Sequence, residues 1–131
     1  MILGVDFGKK RTGTAYMDME IKIPFPCKLI EESNARKVKR ALINIIEEKK
    51  IDTVIFGLPL SDDGKENEWC FEIRRFADFL LKSVKVESAV EAVSEVVRAS
   101  ESVLESLKVL TYHLNNSNNR HYLSNNSEYH F

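Results

Sequence analysis

Disulfide scaffolding is the first architecture this 131-residue sequence excludes, because it holds only two cysteines, Cys27 and Cys70. Two thiols cannot build the framework of a small secreted domain, and their spacing matches no metal motif. Reduced, buried thiols in a reducing compartment are the expectation. Long hydrophobic runs are missing as well. No stretch approaches the roughly 20 apolar residues of a membrane span, and the N-terminus has no signal-peptide pattern. A soluble, cytoplasmic protein without a membrane partner is therefore expected. Basic charge is not in excess: 19 Lys and Arg face 20 Asp and Glu, for a net charge of −1. Dedicated nucleic-acid binders carry such an excess, so any phosphate contact must come from a local patch. The sequence contains no internal repeat, and no aspartate follows Asp78.

The remaining composition is that of one globular domain, with 44% hydrophobic and 30% charged residues. The five glycines are unevenly spread, and three of them, Gly4, Gly8 and Gly13, punctuate the opening fifteen residues. There an apolar run, Met1, Ile2, Leu3 and Val5, reads as a buried strand that ends in a carboxylate, Asp6. A basic turn, Lys9-Lys10-Arg11, follows, and Thr12–Met19 reads as the antiparallel partner strand. A third extended stretch runs through Ile21, Ile23, Phe25 and Leu29; Pro24 and Pro26 each remove a ladder donor and assign it to a sheet edge.

Ser33 or Asn34 can cap a helix to about Lys50, in which Val38, Ala41, Leu42, Ile45 and Ile46 form one apolar stripe. Ile51–Gly57 is a second buried strand, stopped by Pro59 and followed by the turn Ser61-Asp62-Asp63-Gly64. An amphipathic helix from about Glu66 to Lys82 comes next. A strand at about residues 84–89 and a helix at about 94–110 complete a core domain spanning 1–114. Residues 115–131 form a polar Asn- and Ser-rich tail.

Asp6 is the candidate around which chemistry would be organised. A carboxylate at the rim of a core is costly unless it is paired, and a divalent metal, a lysine or an arginine could pair with it. Glycines beside it permit close backbone approach, so the acid and the basic turn together outline a phosphate-handling site.

Two stretches carry a resemblance to a known family. They are Leu3-Gly4-Val5-Asp6-Phe7-Gly8-Lys9-Lys10-Arg11-Thr12-Gly13-Thr14-Ala15 and Gly57-Leu58-Pro59-Leu60-Ser61-Asp62-Asp63-Gly64-Lys65-Glu66, the latter followed by Ile73-Arg74-Arg75-Phe76-Ala77-Asp78-Phe79-Leu80. In this order they resemble the YqgF family, also called RuvX, of RNase H-like nucleases. The resemblance implies an α/β fold, with an RNase H-like mixed five-stranded sheet flanked by helices: three antiparallel strands first, then two parallel ones. It also implies a nuclease that uses Mg²⁺ or Mn²⁺ and processes the 5′ end of 16S rRNA. An alternative within the same fold is a Holliday junction resolvase-like DNA endonuclease. The expected partners are a nucleic acid, either precursor 16S rRNA or branched DNA, and a second copy of the chain in a homodimer.

Carried over residue by residue, the resemblance makes Asp6 and Glu91 the catalytic, metal-holding acids, and Lys9, Lys10, Arg11 and Arg74 the nucleic-acid contacts. The family's third acid is an aspartate near the start of the last helix. This chain has none there, and Glu101 and Glu105 stand in no matching context. A catalytically impaired nucleic-acid-binding relic is therefore weighed beside the enzyme. His113, His121 and His130 match no metal spacing. An actin-like or sugar-kinase phosphate site, suggested by Asp6, Gly8 and Gly13, would need a second domain that 131 residues cannot hold.

Overall fold

The computed structural model describes the backbone of residues 1–93 and the side chains of residues 1–86. Five strands and two helices alternate as β1 (Ile2–Asp6), β2 (Thr12–Met17), β3 (Pro24–Ile30), α1 (Ala35–Glu48), β4 (Thr53–Pro59), α2 (Glu68–Leu81) and β5 (Glu87–Val93). They build one sheet in the order β3-β2-β1-β4-β5. The β1–β2 and β2–β3 pairs are antiparallel, whereas β4 runs parallel to both β1 and β5. This is the mixed sheet that the sequence led us to expect. Both crossovers into the parallel half carry a helix.

Alternation along β1 divides its side chains between two faces. Leu3 and Val5 join Val54, Phe56 and Leu58 of β4 in one cluster with Val38, Leu42 and Ile45 of α1 and Ile73, Phe76 and Leu80 of α2. Each such fully buried side chain contributes roughly 1.5–3 kcal/mol. The other face takes Ile2, Ala15, Met17 and Ile55, all at most 1% exposed. Asp6 belongs to this second face.

Local signals set the element ends. The Asn34 side chain accepts hydrogen bonds from the backbone N–H groups of Arg36 and Lys37, at 3.0 and 3.2 Å, and caps α1. The helix stops where Lys50 adopts a left-handed φ of 54° and the Ile51 N–H returns to the Ile46 carbonyl at 2.9 Å. The strand with two prolines lies at the sheet edge as expected, but it begins at Pro24. Ile21 and Ile23 precede it in an exposed turn.

The last strand also sits further along than the 84–89 expected. Its parallel register with β4, Thr53 beside Glu87 through Pro59 beside Val93, places it at 87–93. The alternating Val84-Lys85-Val86 leads up to it. The helix expected at 94–110, the boundary at 114, the tail, Glu101, Glu105 and the three histidines lie outside the described residues.

Candidate active site

Asp6 ends β1, the central strand of the sheet, and is only 6% exposed. Its antiparallel neighbour on β2 is Gly13. On the other side, Val5 lies beside Phe56, so the next position of β4, Gly57, falls beside Asp6. Gly57 in turn pairs with Glu91 of β5. One row across the sheet therefore reads Gly13, Asp6, Gly57, Glu91, with glycine on both sides of the aspartate. Glycine inside a strand weakens it and marks a place where a ligand or another backbone comes close. The row lies near the C-terminal ends of three parallel strands, the side of open α/β sheets where ligands bind. The Cα atoms of Asp6 and Glu91 stand two strand spacings apart, about 10 Å.

An aromatic clamp fixes the chain immediately after Asp6. Phe7, on the helix-covered face, stacks on Phe76 at 4.1 Å and on Trp69 at 5.5 Å between ring centroids. Trp69 and Phe76 lie seven residues apart on α2, so one face of that helix holds both rings. The turn then tightens at Gly8, where a Cβ would collide with the Arg11 carbonyl oxygen. Of the basic residues in this turn, Lys9 and Lys10 are exposed and Arg11 is half-buried. The Lys9 ammonium sits 5.3 Å from the Trp69 ring centroid, a cation–π contact that tethers the turn to α2.

The end of β4 is secured from the opposite side. Asn67 caps α2 by accepting the Cys70 N–H at 3.1 Å, and its Nδ2 donates to the Pro59 carbonyl at 3.0 Å and the Ser61 hydroxyl at 3.1 Å. The same side chain thus joins a strand end, a turn and a helix start. The turn itself reverses at Gly64, whose φ is 79°. Arg74 makes a bidentate ion pair with Glu66, at 2.9 and 2.7 Å. This geometry is well suited to bracing the loop that precedes α2.

The structure therefore places Asp6 and Glu91 in one backbone row and Lys9, Lys10 and Arg11 on the turn that follows Asp6. Arg74 stands on α2, engaged with Glu66. The Glu91 side chain lies outside the described residues. Among the described residues, no three His, Cys, Asp or Glu side chains converge on one point. Sequence reading missed the Phe7 clamp and the role of Asn67. An asparagine directly before an acidic residue and a helical apolar pattern is a cap signal that could have found Asn67. The row of glycines around Asp6 emerges only from strand register, which no local pattern encodes.

Comparison with known proteins bears on the same region. A family model described as "RuvX: Holliday junction resolvase" matches residues 1–119. The chain is 31% identical over 116 residues to the "Putative pre-16S rRNA nuclease" of Rickettsia rickettsii, covering 88% of this chain and 75% of that protein. A protein of the same name from Maridesulfovibrio salexigens is 36% identical over 83 residues, covering 63% of this chain and 62% of its own length. Among solved structures, the Fowlpox virus resolvase, crystallised with its substrate Holliday junction DNA, superposes with a TM-score of 0.52. The match covers 88% of this chain and 97% of that one at 10% identity, which is a likeness of fold.

Proposed function

This chain belongs to the RuvX family, and on that footing we propose that it is a metal-dependent endonuclease acting on the 5′ end of precursor 16S rRNA. The observation that carries the reading is Asp6: a buried carboxylate at the tip of the central strand, with glycine on either side in its row. Carboxylates are the donors that hard divalent cations prefer, so Asp6 and Glu91 fit Mg²⁺ or Mn²⁺ better than a softer ion. When bound, such ions supply an activated water and stabilise the departing oxygen of a phosphodiester.

The residues of the chain itself have separable tasks. Asp6, and Glu91 two strands away in the same row, would hold the metal. Gly13 and Gly57 leave the row between and beside them free of side chains. Lys9, Lys10 and Arg11 would steady the phosphate backbone, and the clamp on Phe7 holds their turn at a fixed distance from the acid. Arg74 would add positive charge nearby while its guanidinium holds Glu66. A homodimer would present two such sites.

The names carried by the relatives favour rRNA, whereas the family description favours branched DNA and supports a second reading, cleavage of a four-way junction. The test is an assay with Mn²⁺ on a precursor 16S rRNA 5′ leader and on a four-way DNA junction, with Asp6→Asn as the control. Cutting of the leader alone, abolished in the variant, is the expected result. Cutting of the junction alone selects the second reading. Cleavage that survives Asp6→Asn removes Asp6 from the metal-holding role, whereas no cleavage together with no metal binding by calorimetry removes the nuclease assignment and leaves the relic.

A further inference from the structure

The turn that carries Lys9, Lys10 and Arg11 has little inside it to fix its shape. Among the described residues, no backbone hydrogen bond links residues 8–11 to one another. The Gly8 N–H reaches the Thr12 hydroxyl only at 3.5 Å, which is long for such a bond. The firmer contacts come from α2 and meet at Trp69, the chain's single tryptophan.

Trp69 engages the chain on both sides of Gly8. Its ring stacks on Phe7 at an interplanar angle of 6°, and the Lys9 ammonium lies 5.3 Å from its centroid. Among the described residues, Lys9 has no ion pair, and the indole is its partner. Lys10, the next residue, is exposed and has neither an ion pair nor a ring contact among the described residues. Trp69 itself is a fixed post. It lies in the first turn of α2 beside the Asn67 cap, and the adjacent Cys70 thiol donates to the Pro59 carbonyl at 3.1 Å.

Resting on the nuclease reading above, we propose that Trp69 and Lys9 are positioning residues that latch the basic turn in the shape the substrate needs. Lys9 serves the phosphate backbone through the indole, and Lys10 is the cation that touches it. A loose turn would have to be ordered as the substrate arrives, and that ordering costs affinity. The latch removes the cost from the binding step. Moving Lys9 onto a phosphate would give up the ring contact and loosen the turn that presents Lys10. Trp69 packs on the helix-covered face, so it acts through the backbone from Phe7 to Lys9 and does not reach the Asp6 carboxylate.

The test is fluorescence anisotropy across a salt series, with the full chain in EDTA. The probes are a labelled precursor 16S rRNA 5′ leader and a labelled four-way DNA junction. Lys9→Met removes the charge and keeps the length, and should weaken binding about threefold, the size of an exposed cation–π contact. The slope of log K against log salt should not change, because the complex still neutralises the same phosphates. Trp69→Leu should weaken binding about tenfold, since the stack on Phe7 is lost too, again at constant slope. Trp69→Phe keeps an aromatic face and should recover most of that loss. Lys10→Met should instead flatten the slope by about 0.7–0.9, one phosphate contact. Lys9→Met changes an exposed side chain, so the test stands even where Trp69→Leu does not fold.

A slope flattened as much by Lys9→Met as by Lys10→Met makes Lys9 a phosphate contact and overturns the proposal. Tighter binding in Trp69→Leu overturns it too, since the ring would then compete with the substrate for Lys9. Unchanged affinity in either variant does the same, because the turn would hold its shape without the latch, and so does a chain that binds neither probe. No metal or cleavage enters these measurements. Failure of the nuclease reading would show separately, as absent Asp6-dependent cutting by a chain whose binding still follows the expected pattern.

Discussion

The two faces of β1 differ by a single residue of offset, yet they serve opposite ends. Leu3, Val5 and, just past the strand, Phe7 turn toward the helices and are held by apolar and aromatic packing. Ile2, Gly4 and Asp6 turn the other way, and the last of them is a buried charge flanked by residues with no side chain. Packing on the first face specifies where the strand tip stands. On the nuclease reading proposed above, chemistry on the second face would use that position. The contrast shows why a carboxylate can be kept at such a costly location: the strand that carries it is fixed by neighbours that do not share its task.

The largest effect should come from the chemical face. Asp6→Asn keeps shape and removes charge, so cleavage should fall at least about a thousandfold, about 4 kcal/mol of barrier. The thermal midpoint should move less than in a variant that loses core packing, because the amide keeps the carboxylate's shape and no apolar contact is lost. A collapse of the midpoint would mean that the two faces are not separable. The mirror experiment is Phe56→Ala, one position before Gly57 but on the helix face. Removing this fully buried ring, which meets Phe76 edge-on at 6.1 Å, should cost about 3–5 kcal/mol in chemical denaturation. Metal-dependent cleavage should persist at temperatures where the variant is folded.

Asn67→Ala tests the link between the faces, since that side chain binds the end of β4 to the start of α2. Loss of the cap should cost about 0.5–2 kcal/mol, and the Pro59 carbonyl and Ser61 hydroxyl lose their donor. Cleavage should drop more than the stability loss alone explains, a difference read by comparing denaturation with rate at one temperature. The smallest effect is expected far from both faces. Lys50→Gly relieves a left-handed backbone and should stabilise by about 0.5–1 kcal/mol, with no change in cleavage.

Much of the sheet could be read directly from the sequence. The near-continuous apolar run before Asp6, the stripe from Val38 to Ile46 and the prolines at 24 and 26 each reflect a local rule of packing or hydrogen bonding, and each placed its element. Where local rules compete, reading slipped. Val84-Lys85-Val86 alternates as a strand should, but β5 takes its place from pairing with Thr53–Pro59, a partner some thirty residues away. The candidate site was legible only as a list. Asp6, Glu91 and the basic turn could be named, while their common row, the paired glycines and the clamp on Phe7 arise from register and from contacts between elements. Arg74 shows the same limit, because its partner Glu66 is eight residues distant, too far for any helical spacing rule to suggest.

The prolines of β3 have a consequence beyond placing that strand at the margin. An open sheet offers its rim to any extended chain that drifts by, and a rim bearing Phe25 and Leu29, both substantially exposed, would be an inviting one. Pro24 and Pro26 interrupt the row of amide hydrogens that an incoming chain would have to engage. Oily side chains can therefore remain on this border without seeding fibrils.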